Sequence, residues 1–93
     1  MYEIVFTSKS KKDLKRLKKR NDSDFKKVKS LINLLQDLGV NGVPPSMKPH
    51  PLKGNYAGTL ECHVKPDLLV IWIQIESPKI IRLIRVGSHS DLF

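Results

Sequence analysis

The chain has 93 residues, 40% of them hydrophobic and 28% charged, which is the balance of a small folded domain rather than a disordered segment. Its longest unbroken apolar run, Leu68 to Ile73, is far too short to cross a bilayer as a helix. Cys62 is the only cysteine, which excludes a disulfide within one chain and the paired thiolates of a structural zinc site.

The net charge of +8 is unevenly spread. Residues 1–30 hold eleven Lys/Arg against four acids, so +7 falls in the first third. Such a field draws polyanions at long range and gives salt-dependent affinity for phosphate backbones. A solvated helix face is the plainer explanation of a lysine run. Acidic lipid is disfavoured, because the first helix lacks a broad apolar face. No basic segment precedes an apolar stretch at the N-terminus, so the expected location is the cytoplasm, with no membrane partner.

In chain order, Tyr2, Ile4 and Phe6 alternate with Glu3 and Val5 and predict a short strand. Thr7, Ser8 or Ser10 can cap a helix running to about Arg20, with Leu14 and Leu17 as its narrow apolar stripe. Asn21-Asp22-Ser23-Asp24 breaks that helix and caps a second one. There Phe25, Val28, Leu31, Ile32, Leu35 and Leu38 follow helical spacing, and Gly39 stops it. Four prolines and two glycines then mark a long, partly stiffened loop to Gly58, a length often associated with function.

Thr59 to Val64 reads as a strand with Leu60, Cys62 and Val64 on one face and Thr59, Glu61 and His63 on the other. Lys65-Pro66-Asp67 predicts a tight turn, and Leu68 to Ile73 a central strand apolar on both faces. After a turn at Glu76-Ser77-Pro78-Lys79, Ile80 to Val86 forms the last strand, and Gly87 releases a tail. The expectation is one α+β domain over residues 1–93: a strand, a two-helix hairpin, then a mostly antiparallel sheet of about four strands with the helices on one face.

His50, His63 and His89 all lie in the near-neutral remainder of the chain. Glu61 and His63 share a strand face, and Asp67 sits across the turn within reach of either. Simple alternation puts Arg82 and Arg85 on opposite sides of the last strand, with Arg85 on the face of Ile81 and Leu83. If that strand neighbours the Glu61 strand, Arg85 and His89 come near Glu61 and His63. Cleaving RNA without a metal requires one group to deprotonate a ribose 2′-hydroxyl, another to protonate the leaving 5′-oxygen, and positive charge for the phosphorane. Histidine suits both proton transfers and arginine suits the charge. Zinc ligation is the second use of such residues, although positions 50, 63 and 89 match no compact metal signature. By spacing alone, solvent-facing histidines and a paired, buried arginine are the commoner arrangement.

The C-terminal half carries a more specific pattern. His50-Pro51-Leu52-Lys53-Gly54, Gly58, Glu61-Cys62-His63-Val64-Lys65-Pro66-Asp67, Arg85-Val86-Gly87-Ser88-His89 and Leu92-Phe93 follow one another in an order and spacing that resembles the YafQ-type toxins of the RelE/ParE superfamily. The first half matches those toxins only in its plan of strand, basic helix, second helix and proline-rich loop.

The resemblance implies a RelE-like fold and the toxin role in a type II toxin–antitoxin system. It implies ribosome-dependent, metal-independent cleavage of mRNA, leaving a cyclic phosphate and a free 5′-hydroxyl, with no cofactor. Implied partners are a cognate antitoxin, the small ribosomal subunit with its mRNA, and operator DNA only through the antitoxin complex. The positions matching His50, His63, Asp67 and His89 are implicated in catalysis or substrate positioning. Arg85 matches a position beside the scissile phosphate, and Phe93 a terminal aromatic near the RNA. Glu61 stands where one member of the family has Asp, which changes reach but keeps charge and leaves it a supporting role. His50 and His89 are the expected proton-transfer pair, oriented by His63 and Asp67, with Arg85 stabilising charge. Lys11, Lys12, Lys15, Arg16, Lys18 and Lys19 are the expected contacts to ribosomal RNA. Two other classes compete: a non-catalytic nucleic-acid-binding module on the same scaffold, and a ParE-like gyrase inhibitor, a branch that generally lacks this histidine set. Trp72 and Cys62 are expected to be core residues.

Overall fold

A computed structural model describes all residues, 1–93. The chain begins with strand β1 (Glu3–Phe6) and continues into helix α1 (Ser8–Arg20). Thr7 caps α1, its side-chain oxygen accepting the Ser10 N–H. Asn21 ends α1 and caps α2 (Asp22–Leu38) by accepting from the Asp24 N–H, so one polar residue serves both helices. Gly39 closes α2 at φ 63°, where a side chain is disfavoured.

The proline-rich stretch is not an open loop. It folds into short 3₁₀ turns and adds a two-residue strand β2 (His50–Pro51) at the sheet edge. Strands β3 (Leu60–Lys65), β4 (Leu68–Glu76) and β5 (Lys79–Gly87) follow, then a one-turn helix α3 (His89–Leu92). The sheet therefore has five strands, in the order β1-β5-β4-β3-β2, rather than about four. All pairs are antiparallel except β1 with β5. The tail beyond Gly87 is docked rather than released, because Ser88 and Asp91 form a reciprocal capping box and Leu92 is buried.

The hairpin of α1 and α2 covers one face of the sheet. Val28, Leu31 and Leu35 of α2 pack with Cys62, Val70, Trp72, Ile81, Leu83 and Val86 into the main core. Leu38, placed on that stripe by its spacing, is instead exposed at the helix end. Trp72 and Cys62 are fully buried, and burial pushes the Cys62 thiol up to about 12. The opposite face buries a smaller cluster of Leu69, Ile71 and Leu92, bordered by Leu52, Tyr56 and Ile84. Polar side chains of β2 and β3 lie beside it. No helix is long and apolar enough to cross a membrane.

A bulge in β5 decides which side chains join that second face. Trp72 pairs with Leu83, but Ile71 pairs with Arg85, so Ile84 has no partner of its own. Opposed residues of an antiparallel pair share a face, so Arg85 turns to the side of Ile71 and leaves that of Ile81 and Leu83. Arg82, opposite Ile73, lies on the same side. The expected separation of the two arginines is thereby reversed, because alternation of period two does not survive an inserted residue.

Candidate active site

His50, Glu61, Ile71 and Arg85 are matched in one line across β2, β3, β4 and β5. β4 separates β3 from β5, so Glu61 and His63 are not direct neighbours of Arg85 as an adjacent-strand reading supposes.

His50 is flanked by Pro49 and Pro51, which favour the extended backbone that lets it pair with Glu61. Its Nδ1 lies 2.7 Å from the Lys48 carbonyl oxygen, which can only accept, so Nδ1 carries a proton. Its Nε2 lies 3.3 Å from Glu61 Oε1, and His63 Nε2 lies 3.4 Å from the same oxygen. The Glu61 side chain is 5% exposed, and its Oε2 is buried with no hydrogen-bond partner. These three residues bring potential ligand atoms within 4.8 Å of one another, a convergence that their separation in the sequence conceals.

The aromatic rings continue as a row. His50 to His63 is 5.9 Å between centroids, His63 to His89 is 5.8 Å, His89 to Phe93 is 6.2 Å, and Phe93 meets Tyr56 edge-on at 5.4 Å. His89 is the first residue of α3. Its backbone N–H donates to Asp67 Oδ1 at 2.9 Å, and its ring Nδ1 lies 2.8 Å from the same oxygen. Asp67 thus partners His89 rather than Glu61 or His63. The His89 backbone N–H first, and then its ring, hold the Asp67 carboxyl below the usual carboxylate range. With Nδ1–H facing Asp67, the His89 ring presents Nε2 to the open side of the row.

Arg85 is anchored from the other side of the sheet. Its Nε and Nη2 donate to Asp13 of α1 at 2.8 and 3.2 Å, and the Val86 N–H donates to the same carboxylate at 3.0 Å. This is possible because β1 ends at Phe6. Beyond it the start of α1 takes over the edge of β5, with the Thr7 N–H and hydroxyl donating to the carbonyls of Leu83 and Ile84. Asp13 keeps the guanidinium firmly charged, and the neighbouring Tyr56 adds to the effect. Two of the five guanidinium N–H groups go to Asp13, leaving the rest of the fork for a ligand.

Asp13 and Tyr56 are the residues the sequence reading passed over. Asp13 is discernible in hindsight: Ser10, Asp13, Leu14 and Leu17 form a helical stripe facing inward, and an acid on such a stripe calls for a partner. Tyr56 has no comparable signal. The basic residues Lys11, Lys12, Lys15, Arg16, Lys18 and Lys19 are exposed on α1. Lys18 leans over the Phe25 ring at 5.5 Å, and Arg16 with Arg20 lowers the Asp91 carboxyl behind the Ser88 N–H and hydroxyl, so this end of α1 adjoins α3.

This architecture, a sheet backed by a helical hairpin on one face and lined by imidazoles on the other, superposes closely on solved structures of small bacterial toxins. A metal-bound toxin from Helicobacter pylori superposes with a TM-score of 0.86, at 38% identity over all of both chains. The family model described as the bacterial toxin of type II toxin–antitoxin systems, YafQ, matches residues 2–93. The mRNA interferase toxin YafQ of Escherichia coli K12 is 34% identical over 98% of this chain and 95% of its own length. The toxin in the E. coli DinJ–YafQ toxin–antitoxin complex superposes with a TM-score of 0.85, at 34% identity over 99% of this chain and 97% of that one. This chain belongs to the YafQ toxin family.

Proposed function

We propose that this toxin cleaves ribosome-bound mRNA by general acid–base catalysis without a metal. The observation that carries this reading is the row of three imidazoles ending at the Asp67–His89 pair, on the sheet face toward which Arg85 turns. In this reading one imidazole takes the proton of a ribose 2′-hydroxyl while that oxygen attacks phosphorus. The bond from phosphorus to the 5′-oxygen breaks, and a second imidazole gives that oxygen a proton. The products are a 2′,3′-cyclic phosphate and a 5′-hydroxyl. His50 and His89, at the ends of the row, exchange the two protons. Asp67 fixes the His89 tautomer, His63 fills the space between, Glu61 restrains both neighbouring rings, and Arg85 stabilises the phosphorane. Phe93 stacks on a base, supported by Tyr56. The basic face of α1 contacts ribosomal RNA.

The E. coli relative is held in a complex with DinJ, and we assign this chain a cognate antitoxin as its partner. Operator DNA is reached only through that complex.

The experiment is induction in cells followed by mapping of mRNA ends. Cuts within translated codons, ending in cyclic phosphate and lost in His89→Ala, support the reading. Intact mRNA with arrested growth would support a non-catalytic module, and intact mRNA with broken DNA a gyrase poison.

A further inference from the structure

We infer that the cavity walled by Tyr56 and Phe93 holds a nucleobase flanking the scissile phosphate, with Asn55 reading its edge and Tyr56 setting its distance from Arg85. This rests on the ribonuclease reading above and adds to it a means of choosing where to cut.

One wall begins in the turn Gly54–Tyr56, entered at Gly54 with φ 66°. The Ala57 N–H donates to the Gly54 carbonyl at 3.0 Å, and the Thr59 N–H and hydroxyl donate to that of Tyr56 at 3.1 and 2.6 Å. Tyr56 is therefore held from its backbone outward. Its ring packs against the cluster of Leu69, Ile71 and Leu92, and its hydroxyl donates to the Leu92 carbonyl at 3.3 Å. On the other wall, the Phe93 N–H donates to the His89 carbonyl at 2.8 Å, which fixes Phe93 on the end of α3. Phe93 nonetheless remains 63% exposed. An exposed ring braced edge-on by another at 5.4 Å is a platform for stacking rather than a core residue.

The space beside it has a volume of about 540 Å³, within the range of about 300–1,000 Å³ that takes small ligands. Stacking alone accepts every base, because each has a π face. Asn55 and Lys53 line the same space and are exposed. A carboxamide presents a donor and an acceptor side by side and pairs with a base edge, while an ammonium suits the phosphate backbone.

Location sets the register. Phe93 lies 6.2 Å from His89 between ring centroids, so a base stacked there belongs to a nucleotide at the proton-transfer end of the row. Ile71, in the cluster against which Tyr56 packs, is the residue paired with Arg85. The guanidinium is kept charged by Asp13 first and by the Tyr56 hydroxyl as a lesser neighbour. One phenol thus adjoins both the group proposed to face the phosphate and the platform for the base, which makes Tyr56 a positioning residue.

The first test needs no cleavage. A 2′-O-methylated trinucleotide, which lacks the attacking hydroxyl, is titrated into the toxin while the ring protons of Tyr56 and Phe93 and the Asn55 carboxamide are followed by NMR. All three should shift together and saturate, with binding about fivefold or more weaker in Phe93→Leu. Absence of shifts at these residues would overturn the cavity.

The second test reads cleavage on ribosomes programmed with mRNAs that differ in one codon. Asn55→Ala, at an exposed position, should melt like the parent and discriminate between bases about fivefold less or worse. Phe93→Leu should lower cleavage at all codons alike. Tyr56→Phe should still bind the trinucleotide while spreading its cuts over neighbouring linkages. Unchanged codon preference in Asn55→Ala would overturn its reading role, and unaltered cut positions in Tyr56→Phe its positioning role. A parent that binds the trinucleotide in the cavity yet cuts nothing would support the base site and sink the ribonuclease reading.

Discussion

Asp13 and Arg85, 72 positions apart, are joined by two hydrogen bonds of 2.8 and 3.2 Å between α1 and β5. The carboxylate is almost fully buried, and it also takes the place of a strand partner for the Val86 N–H. The most basic helix of the protein is thereby tied to the arginine proposed to face the phosphate.

Removing the acid alone should be costly. Asp13→Asn leaves Arg85 largely buried beside a neutral partner, and breaking such a pair costs about 3–5 kcal/mol. Urea denaturation should show a midpoint shift of that order. The double variant Asp13→Leu/Arg85→Met should regain much of the loss, because packed apolar side chains replace a buried pair well. It should still fail to cleave RNA. If instead it cleaves normally, Arg85 has no part in the reaction.

His89 and Asp67 should differ in degree. His89→Ala removes a proton-transfer group, a loss of about 100- to 10,000-fold in single-turnover cleavage. Asp67→Asn keeps the ring but loosens its tautomer and the start of α3, so its loss should be the smaller one. Equal stability of the two variants, checked by thermal melting, assigns the difference to chemistry.

The docking of α3 should weaken in acid. Asp67 and Asp91 both have depressed carboxyl pKa values, through the N–H groups of His89 and Ser88 respectively. A depressed pKa stabilises the folded arrangement above the unfolded value of about 3.9, and this is lost as pH falls through the folded value. Exchange protection of the Leu92 and Phe93 amides, which donate to the carbonyls of Ser88 and His89, should therefore persist to about pH 4 and be lost below it. A transition near neutrality would show that other groups govern the tail.

Gly39→Ala should destabilise the fold without touching the site. The residue has φ +63°, and an added Cβ would lie 2.8 Å from Gln74 Nε2 and 2.9 Å from Tyr2 Cε1. Strain of this kind costs about 1–3 kcal/mol. Measured denaturation should show it, with cleavage per folded molecule unchanged.

The basic helix should act through ionic pairing with phosphates. Replacing Lys11, Lys12 and Lys15 together with Gln should weaken ribosome binding at low salt. It should also make the log–log salt dependence shallower by about 2–3, at about 0.7–0.9 for each phosphate no longer neutralised. A parent protein whose binding ignores salt would mark these lysines as a solvated face.

Local patterns in the chain were sufficient for much of this. Thr7 and Asn21 cap helices because short polar side chains satisfy free N–H groups, and Gly39 ends α2 because the backbone there requires a positive φ. Alternation along β3 separates Cys62 from Glu61 and His63, since neighbouring residues of a strand point to opposite faces. These features depend on a few adjacent residues, so spacing reveals them. Three others do not. The bulge that turns Arg85 to the imidazole side arises from how β5 pairs with β4, and the pairing of Asp67 with His89 depends on where α3 docks. The meeting of His50, Glu61 and His63 depends on β2 joining the sheet. Each was decided by interactions between segments distant in the chain, where register and docking outweigh local preference.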